Sequence, residues 1–457
     1  MKGIISFAVT LLMYGSSVLV AENMCEYAKT RFCKTINFLV FPSRTVYSGI
    51  ENIRYILKND YSISSLLKHG YVSGMVARKS KLPLDQRFKN EKSGFNFYYA
   101  KGEKKNEGYL LLSGADPFKN GFPKIELWDL NQQEIVYKWN LDNAINYYLD
   151  NSKMKTFYFL NPLILEDGSL VFNTQSGHDI LIKIDRFGEI KNINEELDFH
   201  HSLNLGSNGN IYACFSEGDR EGYAILNKDL EIIETFYIDD IYDKHNLLSR
   251  LYSSNSPDPF HINDVEPILN SKIKGKIAEL VLISLRSTSS IILYNQKDKK
   301  IISIFDGMVS QQHDVDVISQ NPLEISIFDN NVLNEKKSLG NKVLFLKNIK
   351  TTQNKDKTIN IFMPNSKTLK SSNITKYQVD FLDLKEEQRP ITKSSGLSEY
   401  NKKNNSLVIE ESNFGRIFSY SLENKSINWT FLNSSKDKKN FWRMSWSRLY
   451  ENNPINF

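Results

Sequence analysis

From about residue 108 onward, short apolar runs alternate with polar turns, and the alternation recurs. Six runs open the pattern: Tyr109–Leu112, Ser169–Phe172, Asn210–Ala213, Glu279–Leu282, Leu323–Ser326 and Ser406–Ile409. Their continuations are alike. Ile125–Leu130 turns into Glu134–Trp139, Ile180–Asp185 turns at Phe187-Gly188-Glu189, Ser290–Asn295 turns into Ile301–Ile304, and Arg416–Tyr420 turns into Ile427–Phe431. Runs of this length, rich in β-branched and aromatic residues and bounded by Gly, Asn, Asp and Ser, predict antiparallel strands. Strand groups that recur every few tens of residues predict the blades of a β-propeller, and six starts predict six blades. A large β-sandwich, or a pair of smaller β domains, is the alternative. The uneven spacing places insertions around 235–275 and 335–395.

Before residue 101 the pattern changes. Ile50, Ile53, Ile56, Leu57, Ile63, Leu66 and Leu67 recur at helical spacing, so 22–100 is expected to form a partly helical N-terminal cap or extension on an all-β domain spanning 101–457. Lys2, the apolar stretch Ile4–Val20 and the small residue Ala21 before Glu22 have the layout of a secretory signal peptide over 1–21. The expectation is an exported chain, periplasmic or in the cell envelope. An uncleaved membrane anchor is the alternative, since the stretch nearly reaches spanning length. Cys25 and Cys33 could pair in an oxidising compartment, whereas Cys214 reads as a small core residue.

Composition narrows the partners. The net charge of +5 is small for 457 residues, and lysines neighbour Asp, Glu or Asn, as in Asp298-Lys299-Lys300 and Lys436-Asp437-Lys438-Lys439. These read as solvated turns, and no basic stripe interleaved with aromatics suggests nucleic acid. No Cys/His spacing of the zinc type is present, so no metal or other cofactor is expected.

Only seven histidines occur, and four sit in three short motifs at expected strand ends: Phe199-His200-His201-Ser202 with Asn208-Gly209-Asn210, Asp258-Pro259-Phe260-His261-Ile262-Asn263-Asp264, and Gln311-Gln312-His313-Asp314. Arg286 ends the strand between the last two. Inner strands of a propeller converge on one funnel, so distant motifs can meet there. Histidine suits nucleophilic and acid/base work near neutral pH, and arginine offers a planar fork of donors to an oxyanion. Each residue also has a structural alternative: a turn histidine at His313, a loop cap at His261, an inter-blade ion pair at Arg286, an Asx turn at Asn263. His69, His178 and His245 carry no motif and read as surface or packing residues. Trp128, Trp139 and Trp429 read as inter-blade packing, and Trp442, Trp446 and Arg448 as closing the propeller.

In their order along the chain, His200-His201 with Asn208-Gly209-Asn210, His261-Ile262-Asn263, Ser284-Leu285-Arg286, Gln312-His313-Asp314 and Ile327-Phe328-Asp329-Asn330 resemble the arylsulfotransferase family over roughly 100–450. The resemblance implies a six-bladed propeller and a sulfotransferase that moves a sulfuryl group from an aryl sulfate ester to a phenolic or glycan hydroxyl, through a sulfohistidine and without an adenylyl-sulfate donor. By motif position it implies His313 as the nucleophile, His261, Asn263 and Arg286 as the groups holding the sulfuryl oxygens, and His201 as the partner beside the phenolic oxygen. Strand alternation turns only one of His200 and His201 inward, and His201 is favoured. Ser202 departs from the family, standing where relatives often carry an acidic residue. The competing function is a non-catalytic envelope propeller that serves as a binding or assembly module.

Overall fold

Each apolar run pairs with its sequence neighbours, and the pairing produces six separate sheets of four or five strands. The computed structural model describes residues 81–455, apart from 83–84, 89, 102–104, 120, 152–157, 176–178, 250–257, 274–275, 278, 334–336, 353–358, 365–372 and 436–439. The sheets are the blades of a six-bladed β-propeller, as expected. Blade 2 comprises Phe159–Ile164, Leu170–Thr174, Leu181–Ile184 and Ile190–Asn194; blade 3 comprises Asp198–Leu205, Ile211–Glu217, Arg220–Leu226 and Ile232–Tyr237. Blade 4 has Ile262–Pro267, Leu280–Leu285, Ser290–Asn295 and Lys300–Asp306, and blade 5 has His313–Gln320, Leu323–Asp329, Lys342–Ile349 and Thr375–Val379.

The ring closes through both ends of the described chain. Arg448–Tyr450 pairs with Tyr109–Ala115 and becomes the innermost strand of blade 1, inside Pro123–Asp129 and Glu134–Lys138. Gly94–Phe97 pairs with Ser426–Leu432 as the outer strand of blade 6, whose other strands are Leu397–Asn401, Ser406–Glu411 and Arg416–Ser421. The propeller therefore begins before residue 101: the last part of the expected 22–100 extension is a blade strand. The rest of that extension up to residue 80, the 1–21 segment, the Cys25–Cys33 pair, His69 and His178 lie outside the described residues. Among the described residues no helix is long and apolar enough to cross a membrane.

Apolar clusters fill the wedges between blades. Leu282, Leu293, Ile325 and Leu346 join blades 4 and 5, and Val281, Ile283, Cys214 and Tyr223 join blades 3 and 4. Trp429 packs with Leu110, Leu112 and Phe431 between blades 6 and 1, and donates through Nε1 to the buried Glu107 at 3.0 Å. Trp128 lies against Phe95 at 4.6 Å, and Trp139 is buried against Tyr137. Cys214 is fully buried, as expected of a core residue. Of the two expected insertions, the first carries the helix Ile238–Lys244, capped when His245 Nδ1 donates to Ile241 O at 2.7 Å. The second contributes Asn360–Phe362, which crosses to pair in parallel with the outer strand of blade 4.

All six apolar runs singled out in the sequence are second strands. The innermost strands are more polar: Asn161, Asn204, Asp264, Asp314, Asp316, Glu399 and Arg448 lie on them. They neighbour one another around a closed ring and line the axis.

Candidate active site

At the same end of all six inner strands the backbone enters the left-handed region at a non-glycine residue. The positions are Asn161 (φ 48°), His201 (57°), His261 (50°), Asp314 (64°), Ser395 (59°) and Trp446 (59°). Such conformations cost about 1–3 kcal/mol each and persist where the surroundings impose them, often at functional sites. Bulges accompany four of them, between Leu160/Leu163, His200/Leu203, Ile262/Asp264 and His313/Val315. A bulge breaks strand alternation and re-aims the side chain beside it.

The re-aimed rings meet. His201 lies 5.0 Å from His261 and 6.3 Å from His313, centroid to centroid, and Trp446 lies 5.6 Å from His201 and 6.1 Å from His313. His201, favoured over His200, joins His261, His313 and Trp446 in one cluster, while His200 stands behind it. His200 Nδ1 is 2.7 Å from His201 Nδ1, and His200 Nε2 is 2.9 Å from Ser216 Oγ. These bonds form a chain, Ser216–His200–His201, in which either tautomer of His201 finds a partner.

His313 is buried and held at both ring nitrogens. Nδ1 is 2.7 Å from Asn330 Oδ1, and Nε2 accepts the Ser395 N–H at 3.2 Å. Asn330 Nδ2 donates to the carbonyls of Ser395 (2.9 Å) and Thr392 (3.3 Å), which fixes which end of the amide faces the ring. An amide oxygen can only accept, so His313 Nδ1 carries the proton and Nε2 keeps its lone pair. The group that orients His313 is thus the side-chain amide of Asn330, at the end of the next strand. Asp314 instead points to blade 6, accepting the Ser398 N–H at 2.9 Å. Gln312 points the other way, donating to Ser284 Oγ, Leu285 O and Ser290 O of blade 4. The Gln-His-Asp motif thus ties one strand to both neighbouring blades and leaves the histidine between them.

His261 pairs through Nδ1 with Asp258 Oδ2, and its backbone N–H donates to Glu221 Oε2 at 2.7 Å. Arg286 is held by its own N–H on His261 O (3.0 Å) and by Nη2 on Gln311 Oε1 (3.0 Å). Asn263 is fully buried and donates to Gln312 O at 2.7 Å, so its described bond steadies the strand of His313. Ser202 donates no acid to the site; its Oγ accepts the Val265 N–H at 3.1 Å. Asn208-Gly209-Asn210 forms a tight turn at the opposite end of its strand, with Gly209 at φ 79° and Asn208 Oδ1 accepting the Asn210 N–H.

The electrostatics favour neutral imidazoles. Burial first, then repulsion by His261 and Arg286, pushes His313 down to about 3 against the support of Asn330. Burial and the neighbouring imidazoles hold His201 well below the usual range, and burial with His261 lowers His200 to about 4. Burial beside Asp258 raises Glu221 to about 8, while burial, which pushes Asp258 up, is overcome by the combined bonds and charge of His261 and the bond from Glu221, so Asp258 stays below its ordinary value. Below the pocket the axis is acidic. Burial raises Asp264 against its bonds from Ser202 and Val315, burial and carboxylate repulsion raise Glu266, Asp314 and Asp316, and burial raises Glu399 to about 7 despite Arg448. Arg448 donates there to Asn204 Oδ1 at 3.1 Å and Leu203 O at 2.6 Å, bridging blades 1 and 3.

Three groups at the site escaped the sequence reading in this role: Trp446, Ser395 and Asp258. Trp446 was assigned to closure; its loop is pinned by Glu410, which accepts the N–H groups of Trp446 (2.9 Å) and Ser447 (2.8 Å). Ser395 sits on a chain that passes other backbone closely, since a Cβ on Gly396 (φ 94°) would meet Glu410 O at 2.7 Å. Arg443 approaches the same serine, Nη2 to Oγ 3.2 Å. Among the described residues, His201, His261 and His313 each bring one ring nitrogen within 4.8 Å of the others, so this trio could hold a metal ion.

Residues 232–434 match the family model described as arylsulfotransferase (ASST), in agreement with the resemblance read from the sequence. The match includes His261, Asn263, Arg286 and His313; His201 lies before it. No curated protein matches. Among solved structures, a Bacteroides caccae protein of unknown function is 13% identical, covering 75% of this chain and 98% of its own, with a TM-score of 0.45. Virginiamycin B lyase from Staphylococcus aureus is 14% identical, covering 75% and 91%, with a TM-score of 0.35.

Proposed function

We propose that this chain, through its arylsulfotransferase domain, moves a sulfuryl group from an aryl sulfate to an acceptor hydroxyl by way of His313. The observation that carries the proposal is the state of His313: a buried neutral imidazole with Nδ1–H committed to Asn330, and Nε2 bearing its lone pair beside His201, His261 and Trp446. That is the form a histidine nucleophile requires.

In the first half-reaction Nε2 attacks sulfur, an N–S bond forms, and the S–O bond to the aryl group breaks. Arg286, fixed by Gln311 and by the His261 carbonyl, meets the non-bridging oxygens. His261, oriented by Asp258, adds a second donor, and Asn263 acts behind them by holding the Gln312 carbonyl beside His313. A donor lost from such a set typically costs on the order of 3 kcal/mol of transition-state stabilisation. His201 Nε2 faces the aryl oxygen; with its Nδ1 accepting from His200, its Nε2–H hydrogen-bonds the departing oxygen, which leaves as the aryl oxide. In the second half-reaction His201, now donating from Nδ1 to His200, takes the acceptor's proton on Nε2 as the acceptor oxygen attacks sulfur and the N–S bond breaks, and then releases that proton to water. Trp446 offers a flat wall for an aryl ring. Export of the chain through its N-terminal segment belongs to the same proposal, and N-terminal sequencing of secreted protein tests it.

The test is intact-protein mass spectrometry after mixing with p-nitrophenyl sulfate, beside His313→Ala. Wild type should gain the mass of one sulfuryl group and release nitrophenolate, then lose the added mass when a phenol is supplied. Neither gain nor release in wild type would remove this reading and leave the binding-module alternative.

A further inference from the structure

The three imidazoles that converge at the pocket have a feature that sulfuryl transfer through His313 alone does not require. Each has its Nδ1 engaged by a partner behind it: His313 by Asn330, His261 by Asp258, His201 by His200. That leaves Nε2 as the nitrogen each ring can offer to a common ligand. Outer-shell hydrogen bonds on one ring nitrogen, a carboxylate among them, are what fix tautomer and direction in histidine ligands of transition metals.

We propose that His201, His261 and His313 form a binding site for a divalent transition-metal ion of the zinc class, held by three Nε2 atoms, and that the ion and the sulfuryl group exclude one another. Three neutral imidazoles suit zinc, copper or nickel and not calcium or magnesium, which prefer oxygen. Tetrahedral zinc with bonds of about 2.0–2.1 Å needs ligand nitrogens about 3.4 Å apart. One nitrogen from each ring lies within 4.8 Å of the other two, so the three rings stand close enough for ring rotations to bring their Nε2 atoms onto one ion. His201 supplies its lone pair in the tautomer that donates from Nδ1 to His200, with Ser216 closing the chain. Only the 3.2 Å bond from the Ser395 N–H to His313 must be given up. Arg286 beside the triad opposes a bare cation but favours an anion, such as hydroxide or chloride, in the fourth position. Because His313 Nε2 cannot bind metal and attack sulfur at once, a bound ion silences the nucleophile. Binding stands on the geometry alone; the mutual exclusion rests on the proposed transfer function.

Full-length protein stripped with a chelator is titrated with zinc chloride by calorimetry, and the cobalt(II) form is read by visible absorption. One ion per chain and a four-coordinate cobalt spectrum are expected. His201→Ala and His261→Ala should each weaken binding at least about tenfold, and Asp258→Asn, which keeps all three rings, by about 10–100-fold. Circular dichroism establishes that the variants fold. No zinc retained by wild type, or zinc retained equally by His201→Ala and His261→Ala, overturns the site. Sulfuryl capture, measured on metal-free protein, succeeds or fails separately. If it succeeds, one equivalent of zinc should abolish the mass gain and a chelator restore it; capture undiminished with the ion bound would overturn the exclusion.

Discussion

At the scale of single residues, the chemistry turns on which nitrogen of His313 carries the proton. Asn330 decides this because its own amide is anchored by two carbonyls and cannot flip without losing both. Asn330→Ala should therefore lower the rate of sulfuryl capture about 10–100-fold, the usual cost of removing an orienting partner, with little change in KM. Asn330→Asp has a different signature. A carboxylate at Nδ1 stabilises the imidazolium, so the His313 pKa rises from about 3 and an acid limb enters the rate profile between about pH 5 and 8, where wild type should show none from this group. Single-turnover nitrophenolate release across pH measures both. Arg286→Lys should lose about 10²–10³ in kcat/KM, close to Arg286→Ala, because an ammonium cannot reproduce the fork; recovery of most activity by lysine would count against bidentate oxygen binding. Much of this was legible in sequence, since His313, His261 and Arg286 sit in compact motifs. Asn330 was legible as part of the strand end that follows the His313 motif, Trp446 only as a residue closing the propeller, and Ser395 not at all. Their roles arise from contacts across the ring, 82 residues apart for Ser395 and His313.

At the scale of elements, the six second strands announced the fold and the six inner strands did not. A second strand is buried on both faces between neighbouring blades, so it reads as a continuous apolar run, as in Leu280–Leu285. An inner strand faces the axis on one side. His313–Gln320 alternates polar and apolar residues, begins with a bulge and carries two aspartates, so periodicity barely marks it. Bulges also undercut the alternation argument for His200 and His201: both rings join the site, one behind the other. The strand that carries the nucleophile is held by side chains and not only by its ladder. Gln312, fully buried, donates to three acceptors on blade 4. Gln312→Ala leaves buried acceptors without a donor and should destabilise the fold by about 1–3 kcal/mol. Urea unfolding measures the loss, and the capture rate should fall with it because the start of the His313 strand loosens. A variant as stable as wild type would mean that the blade 4 contact is incidental.

At the scale of the whole molecule, a closed ring forces six inner strands to share one axis, and this sequence places Asp264, Glu266, Asp314, Asp316 and Glu399 around it with Arg448 as their cation. Removal from water and mutual repulsion make the neutral acids the favoured forms, most plainly at Glu399, raised to about 7. A carboxyl whose folded pKa lies above its unfolded value of about 4.3 binds more protons in the folded state. Its stabilising contribution is full below the unfolded value and is lost as pH rises through the folded one. The buried histidines act oppositely: with His313 and His200 lowered to about 3 and 4, their contribution is present above about pH 6.5 and falls away below it. Between about pH 6.5 and 8 the histidine terms are already complete and only the carboxyl terms change, so the melting temperature should fall as pH rises through this window. Glu221, raised to about 8 beside Asp258, adds to the same slope. Glu399→Gln removes one of these groups while keeping its shape and should flatten the decline, gaining most at the alkaline end; calorimetry of both proteins at several pH values tests it. A wild-type melting temperature that is flat or rising over the window would mean that water or Arg448 already accommodates the charges, and the axis would then be a solvated channel of carboxylates, open to the pocket above it.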